Sequence, residues 1–270
     1  MSVKNILWAV LVALFVALAV CTFVGSDSAK EVVGWLFVVA NAVGAGAAWY
    51  LSRVSDGLVR EFSRLLSFGL VALAGAYASY RILPLADAPA FGDGLWVTAY
   101  AIFFVAGVKG TNVIADLTFR DGRRDVWISI GAGLLITLLM HFFVGLPALS
   151  DDATDGQIGT YQAGLVMMFF GMATGAIYLI LAFRSAGGQY GSLLLFTMAF
   201  GILAGVADFV YGMIHPAIAS GISPASTLTP QADVSDWIRM LSQAMIFLLV
   251  IRQVQALEGE RPRAGQRVAV

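Results

Sequence analysis

The chain alternates long apolar stretches with short polar gaps, and this pattern predicts eight transmembrane helices. A helix needs roughly 20 apolar residues to cross the hydrocarbon layer of a bilayer. Eight stretches approach or exceed that length, at residues 5–25, 32–52, 65–85, 95–117, 126–146, 159–183, 193–216 and 237–254. The eighth is the least apolar, because Arg239, Gln243 and Arg252 interrupt it. We therefore predict an all-α, polytopic integral membrane helix bundle that forms one domain over residues 1–257.

Charges in the gaps predict the orientation of the bundle. Lys4 precedes the first stretch, and the second, fourth and sixth gaps contain arginines, whereas the odd gaps are rich in aspartate. Arginine-rich loops are retained in the cytoplasm. Both termini are therefore predicted to be cytoplasmic, with residues 258–270 as a disordered tail, in a cell inner membrane or plasma membrane. All six tryptophans fall at predicted membrane interfaces, where indole rings are enriched: Trp8, Trp49 and Trp127 at cytoplasmic ends, Trp35, Trp96 and Trp237 at outer ends.

Composition excludes the soluble classes. Hydrophobic residues make up 59% of the 270 residues and charged residues 12%, and the mean hydropathy is +0.84. A soluble domain carries about 25% charged residues. The apolar stretches leave no room for a separate soluble domain, and we expect the lipid bilayer, not nucleic acid, as the surrounding partner. Cys21 is the only cysteine, which rules out an intramolecular disulfide and a cysteine metal cluster.

Weak internal similarity suggests a duplication. The sequence CTFVG at the end of the first stretch resembles HFFVG in the fifth, and SFGLVALAG in the third resembles AFGILAGVA in the seventh. These matches predict a 4+4 arrangement of two halves, residues 1–120 and 121–257, in the same orientation. Parallel repeats occur in transporters, where substrate sites lie at the interface between repeats. A binding site in this chain is therefore expected between the halves.

Two GxxxG pairs lie within the sixth and seventh stretches, formed by Gly171 with Gly175 and by Gly201 with Gly205. Small residues allow helix backbones in lipid to approach closely. Two interpretations follow from this spacing. The glycines pack helices within one bundle, or they form a contact with a second copy or with another membrane protein.

Polar residues inside the apolar stretches are the main candidates for function, because intramembrane charges usually face the bundle interior. Asp208, Tyr211 and His215 are spaced i, i+3 and i+7 and share one helix face. Other polar residues at similar predicted depth complete an outer polar layer, which also contains Tyr77, Tyr80, Arg81, His141, Arg239 and Gln243. The layer predicts a ligand or ion site open to the outside. The alternative is that Asp208 pairs with Arg239 or Arg81 and only ties helices together.

A second polar layer is predicted nearer the cytoplasm. Lys109, Asn112 and Asp116 repeat the i, i+3, i+7 spacing on the fourth stretch. This spacing is compatible with a cytoplasmic gate or an anionic-substrate contact. It is equally compatible with a lysine that extends toward the cytoplasm and an aspartate that is simply solvated.

Three functional hypotheses remain open from the sequence. The first is a transporter or ligand-sensing module that handles a small molecule or ion at the outer layer. The second is a structural or assembly subunit of a larger membrane complex. The third is an intramembrane lipid enzyme, or a b-type haem protein with His141 and His215 as axial ligands. No hydrolase, nucleotide-binding or metalloprotease motif occurs, so we assign no catalytic residue and no resident metal.

Overall fold

The computed structural model describes residues 2–24, 27–83, 88–118, 122–142, 170–183, 188–214 and 232–260. Within these ranges the elements are eight α-helices and no strand: α1 (Val3–Val24), α2 (Asp27–Val54), α3 (Gly57–Ile82), α4 (Ala88–Thr118), α5 (Gly122–Met140), α6 (Gly171–Phe183), α7 (Gly188–Ile214) and α8 (Val234–Glu260). The predicted all-α helical membrane bundle is confirmed. The predicted tail beyond residue 260, and parts of the fifth and sixth apolar stretches, lie outside the described residues.

Five of the described helices contain a segment long and apolar enough to cross a membrane. These segments are Val3–Val24, Glu31–Val54, Gly57–Ile82, Tyr190–Asp208 and Val234–Glu258. Helix α4 contains a shorter apolar run, Gly94–Lys109. The chain is therefore a multi-pass membrane protein. The total of eight crossings stays a prediction.

Some helices extend beyond the apolar stretches that predicted them. Helix α3 begins at Gly57, whereas its apolar stretch begins at residue 65. Its first two turns carry Arg60 and Glu61, and the Glu61 side chain is exposed. A helix satisfies its backbone hydrogen bonds internally in water as well as in lipid. Hydropathy consequently locates the membrane segment but not the helix end.

The first and last helices pack against each other in antiparallel directions. Lys4 at the start of α1 forms an ion pair with Glu258 near the end of α8. At the opposite end, Trp237 Nε1 donates a hydrogen bond to Thr22 Oγ1 at 3.1 Å. The start of α1 and the end of α8 therefore lie at the same end of the bundle. Their cytoplasmic location stays a prediction.

Helix pairing follows the same pattern in the two predicted halves. In each half the first helix packs on the second, the second on the third, and the third on the fourth. Between halves, α4 packs on α6, and α8 packs on both α2 and α1. The fourth helix of each half thus contacts the second helix of the other, as a parallel 4+4 duplication predicts. The α1–α8 contact has no comparable α5–α4 counterpart among the described residues, and the duplication stays a prediction.

Close helix contacts occur at particular glycines. A Cβ added to Gly133 on α5 would lie 3.0 Å from the backbone nitrogen of Thr174 on α6, whereas one added to Gly131 would meet no described atom within 4 Å. The same absence of neighbours within 4 Å holds for Gly175 and Gly201. Of these glycines, Gly133 is the one whose missing side chain permits a close helix approach. An oligomer contact through the two GxxxG pairs stays a prediction.

Candidate functional site

A buried ion pair joins α7 to α8 near the end of the bundle that is opposite to Lys4 and Glu258. Arg239 Nη2 donates to Asp208 Oδ1 at 2.7 Å, and each side chain is only 12% exposed. The alternative partner suggested for Asp208, Arg81, forms no ion pair among the described residues. Charges in an apolar interior require a partner, and Arg239 fills that requirement for Asp208.

The start of α8 places a second carboxylate near the guanidinium. Asp233 Oδ1 accepts hydrogen bonds from the backbone nitrogens of Ser235 at 2.8 Å and Asp236 at 3.2 Å. In return, Asp236 Oδ2 accepts from the backbone nitrogen of Asp233 at 3.1 Å. This reciprocal arrangement is a capping box. It holds Asp236 Oδ1 at 4.0 Å from Arg239 Nη1.

A tyrosine from the first predicted half contacts the same carboxylate. Tyr100 on α4 donates its hydroxyl hydrogen to Asp208 Oδ2 at 3.1 Å. The two oxygens of Asp208 therefore accept from different groups, a guanidinium on α8 and a phenol on α4. Both hydrogen bonds involve a charged acceptor, which makes them stronger than neutral ones. Asp208 thereby connects α4, α7 and α8.

Aromatic rings surround the ion pair. The guanidinium carbon of Arg239 lies 5.8 Å from the ring centroid of Phe37 and 5.7 Å from that of Tyr211. Both distances are within the range of cation–π attraction. From Phe37 a series of neighbouring rings leads back to the phenol bonded to Asp208, with centroid separations of 5.2, 5.1 and 5.5 Å along Phe37, Tyr77, Trp96 and Tyr100.

A small cavity lies beside the ion pair, between the two predicted halves. The cavity volume available to the centre of a water molecule is about 10 Å³. This is close to the smallest cavity that holds one water molecule. The wall is formed by side chains of α3, α4, α7 and α8: Leu73, Tyr77, Trp96, Tyr100, Phe200, Ala204, Asp208, Arg239, Ser242 and Gln243.

The described structure brings together part of the predicted outer layer. Asp208, Tyr211 and Arg239 form one cluster. Arg81 instead lies over Gly34 of α2, and Tyr80 lies against Gly92 of α4. His141 follows α5, a helix that packs on α6, and its ring neighbours that of Phe142 at 5.3 Å. His215 lies outside the described residues, so haem binding by His141 and His215 stays a prediction.

The predicted inner layer is described only in part. Lys109 Nζ lies 3.6 Å from Glu61 Oε2, and both side chains are more than half exposed, at 59% and 64%. Asn112 and Asp116 lie on α4, but their side chains are outside the described residues. Lys109 is nine residues beyond Tyr100, roughly 13 Å along the helix axis. The exposed ion pair at Lys109 is therefore separate from the Asp208 site.

Sequence reasoning missed four residues of this cluster. Trp96 is predicted at the membrane interface and Asp236 in an aspartate-rich gap, whereas Phe37 and Tyr100 belong to neither predicted polar layer. A usable signal existed for Tyr100, which follows Trp96 at the i, i+4 spacing that places two side chains on one helix face. Asp236 could have been found as the fourth residue of Asp-x-x-Asp before an apolar helix.

Within the described ranges, no group of three or more His, Cys, Asp or Glu side chains is arranged to hold a metal ion. Comparisons with protein-family models, with curated proteins and with solved structures found no match to this chain. Arguments about function therefore rest on the geometry of the Asp208 cluster.

Proposed function

We propose that this multi-pass membrane protein handles a small molecule or ion, as a transporter or a ligand-sensing module, at the polar site around Asp208 and Arg239. The observation that carries the proposal is a buried carboxylate held by a guanidinium and a phenol beside a cavity between the two predicted halves. Buried ionisable groups in membrane bundles usually mark substrate or ion pathways.

The surrounding chemistry supports binding of a ligand with both polar and apolar parts. Asp208, Arg239 and Gln243 supply hydrogen-bonding groups, and Tyr77 and Trp96 supply ring faces to the same cavity. Ligand sites typically combine an apolar wall with a few convergent polar groups. Because the cavity has room for about one water molecule, entry of a larger ligand requires the helices or the Arg239 side chain to move. The predicted outward opening of the site is part of this proposal.

The test is a comparison of the wild type with the neutral pair Asp208→Asn/Arg239→Gln. This double variant removes both charges of the pair together, so neither Asp208 nor Arg239 is left without its partner, although Asp236 loses the guanidinium 4.0 Å away. Purified proteins are melted with a panel of KCl, MgCl2, sodium succinate, glycine, glucose and myo-inositol. At about 100 times its dissociation constant a ligand stabilises by roughly 2.7 kcal/mol, which raises the melting temperature by about 5 to 10 °C.

We expect at least one compound to raise the melting temperature of the wild type but not that of the double variant. The double variant should be obtained in amounts sufficient for purification and should melt closer to the wild type than Arg239→Gln does. A panel response that is the same in both proteins would show that the charged pair does not bind the ligand. The matched control is Gly131→Ala, which changes α5 where an added Cβ meets no described atom within 4 Å.

The second candidate function is a structural or assembly subunit of a membrane complex. The small volume of the cavity favours it, since an ion pair with room for about one water molecule beside it is suited to tying α4, α7 and α8 together. This role predicts stable partner proteins after purification in mild detergent. It also predicts that the neutral double variant keeps its partners and its physiological activity. A solitary protein would count against this candidate.

A further inference from the structure

Three buried polar atoms on α2 and α8 have no hydrogen-bond partner among the described residues. They are Arg239 Nε, Gln243 Oε1 and Asn41 Oδ1. Gln243 is 3% exposed and Asn41 is 0% exposed. The amide nitrogen of Asn41 donates to the carbonyl oxygen of Phe37 at 2.8 Å, which fixes Oδ1 as its unpartnered atom. Unpaired polar atoms are costly in an apolar interior, so each requires an explanation.

The first two of these atoms belong to residues that line the same cavity. Arg239 and Gln243 both line the cavity beside Asp208. They are four residues apart on α8, so their side chains occupy neighbouring positions on one helix face. One atom is a donor, the guanidinium Nε–H, and the other is an acceptor, the amide oxygen.

The register of α2 against α8 places Asn41 at the same level. Phe37 contacts Arg239, with the guanidinium carbon 5.8 Å from the ring centroid. A Cβ added to Gly44 would lie 3.6 Å from Ile246 Cγ2. In both pairs the residue on α8 is the same number of positions further along the chain than its partner on α2. Counting that number from Asn41 leads to Gln243, so these two residues lie opposite each other. Asn41 lies one turn from each of these two contacts and on the same buried stripe of α2.

We infer that Arg239 Nε, Gln243 Oε1 and Asn41 Oδ1 form a subsite for one neutral hydroxyl group, which belongs to a water molecule in the resting protein and to the ligand when a ligand is bound. A hydroxyl oxygen accepts from the Nε–H and donates to an amide oxygen, and water donates to both. A metal cation would suit the two oxygens but would be repelled by the guanidinium. A carboxylate would suit the guanidinium but would face two oxygen acceptors.

The inference about the ligand rests on the proposed function, whereas the inference about water does not. It predicts that the handled molecule is a small hydroxylated compound, one of whose hydroxyl groups accepts from Arg239 Nε–H and donates to one of the two amide oxygens. Its C–H surface would contact the rings of Tyr77 and Trp96, which line the same cavity. The water has enough space, because the cavity is near the one-molecule limit and is bordered by at least two polar partners.

The water is tested by radiolytic labelling of the full-length protein after rapid mixing into H2(18)O, with mass spectrometry of the products. Hydroxyl radicals formed from a bound water modify the adjacent Tyr77, Trp96 and Tyr100, and slow exchange of that water leaves (16)O in the product. Phe247, which is 0% exposed and is not in the cavity wall, is the internal control. We expect labelling of the three cavity residues in the wild type and its loss in Gln243→Leu.

A second variant, Asn41→Leu, keeps the test valid if Gln243→Leu is poorly produced. Each variant removes one partner of the water, so each should lower the melting temperature by about 2 to 4 °C. If the amide oxygens were truly unpartnered, an apolar replacement would be neutral or stabilising. Wild-type cavity residues labelled no more than Phe247, or leucine variants as stable as the wild type, would overturn the water subsite.

The ligand is tested by melting the wild type and Gln243→Leu with the panel described above. We expect glucose or myo-inositol to raise the melting temperature of the wild type and to lose this effect in Gln243→Leu. A response confined to MgCl2, KCl or succinate would overturn the hydroxyl assignment and leave the proposed function standing. If the whole panel gives no response, the ligand assignment fails together with the proposed function, and the labelling result alone decides the water subsite.

Discussion

Replacing one member of the Asp208–Arg239 pair should destabilise the protein strongly, and replacing both should cost clearly less than the sum of the two single replacements. The two side chains are each 12% exposed, and their charged atoms are 2.7 Å apart. Removing one partner of a buried ion pair leaves an uncompensated charge, which costs about 3 to 5 kcal/mol. Asp208→Asn should fall near the lower limit, since Asp236 remains 4.0 Å from the guanidinium. Arg239→Gln should fall near the upper limit, because the guanidinium lies beside both Asp208 and Asp236.

The double variant Asp208→Asn/Arg239→Gln retains amide groups that can hydrogen bond to each other and carries no net buried charge at these positions. We expect its loss of stability to be at least about 2 kcal/mol smaller than the sum of the single losses. Free energies of unfolding are measured by reversible SDS titration in mixed micelles. Tyr100→Phe, which removes only the hydroxyl bonded to Asp208 at 3.1 Å, is the control for a single hydrogen bond and should cost about 0.6 to 1.7 kcal/mol.

A double variant whose loss equals the sum of the single losses within about 0.5 kcal/mol would refute this reasoning, because independent sites are additive to that extent. The two charges would then not be energetically coupled. The ion pair could not be the tie between α7 and α8, and the proposed binding site would lose its central observation.

Three further predictions concern other parts of the bundle. Gly133→Ala should destabilise the α5–α6 contact by roughly 1 to 3 kcal/mol, because the added Cβ meets backbone atoms of α6; Gly131→Ala on the same helix is the matched control, and equal melting temperatures would contradict the prediction. Ser67→Ala removes a 2.9 Å hydrogen bond from α3 to the α2 backbone and should cost about 0.6 kcal/mol by SDS titration. Cysteines at positions 4 and 258, in a background without the native cysteine, should be joined within one molecule by a flexible bis-maleimide, since the Lys4 and Glu258 side chains form an ion pair. Absence of this cross-link, with both cysteines reactive toward a monofunctional maleimide, would contradict the antiparallel packing of α1 and α8.

The cavity beside Asp208 is lined by residues from both predicted halves. Tyr77 and Tyr100 come from the first half, whereas Asp208, Arg239 and Gln243 come from the second. In the alignment that suggested the duplication, Asp208 corresponds to Ala76, a small apolar residue. The charged cluster therefore has no counterpart in the first half at that position.

Local sequence predicted the individual polar residues better than their partners. Asp208 and Tyr211 were identified because they are polar and are three residues apart on one apolar helix. The choice of Arg239 over Arg81 depended on which helix packs beside α7, and two candidate cations at similar predicted depth could not be distinguished. Tyr100 and Asn41 belong to helices that approach the site only through the packing of α4 and α2. The spacing of residues along the chain does not show that α4 and α2 pack beside the Asp208–Arg239 pair.

The sequence by itself determined that this protein folds in a lipid bilayer and not in water. Apolar stretches of membrane length, and the scarcity of charge, require helices in a bilayer, because a backbone in lipid must satisfy its own hydrogen bonds. What only the tertiary structure decided is which face of each helix is inside. On α1, Leu7, Leu11 and Leu14 are buried whereas Val12 and Val16 are exposed. In lipid both faces of such a helix are apolar, so hydropathy does not distinguish them, and close packing against α2 and α8 selects the inner face.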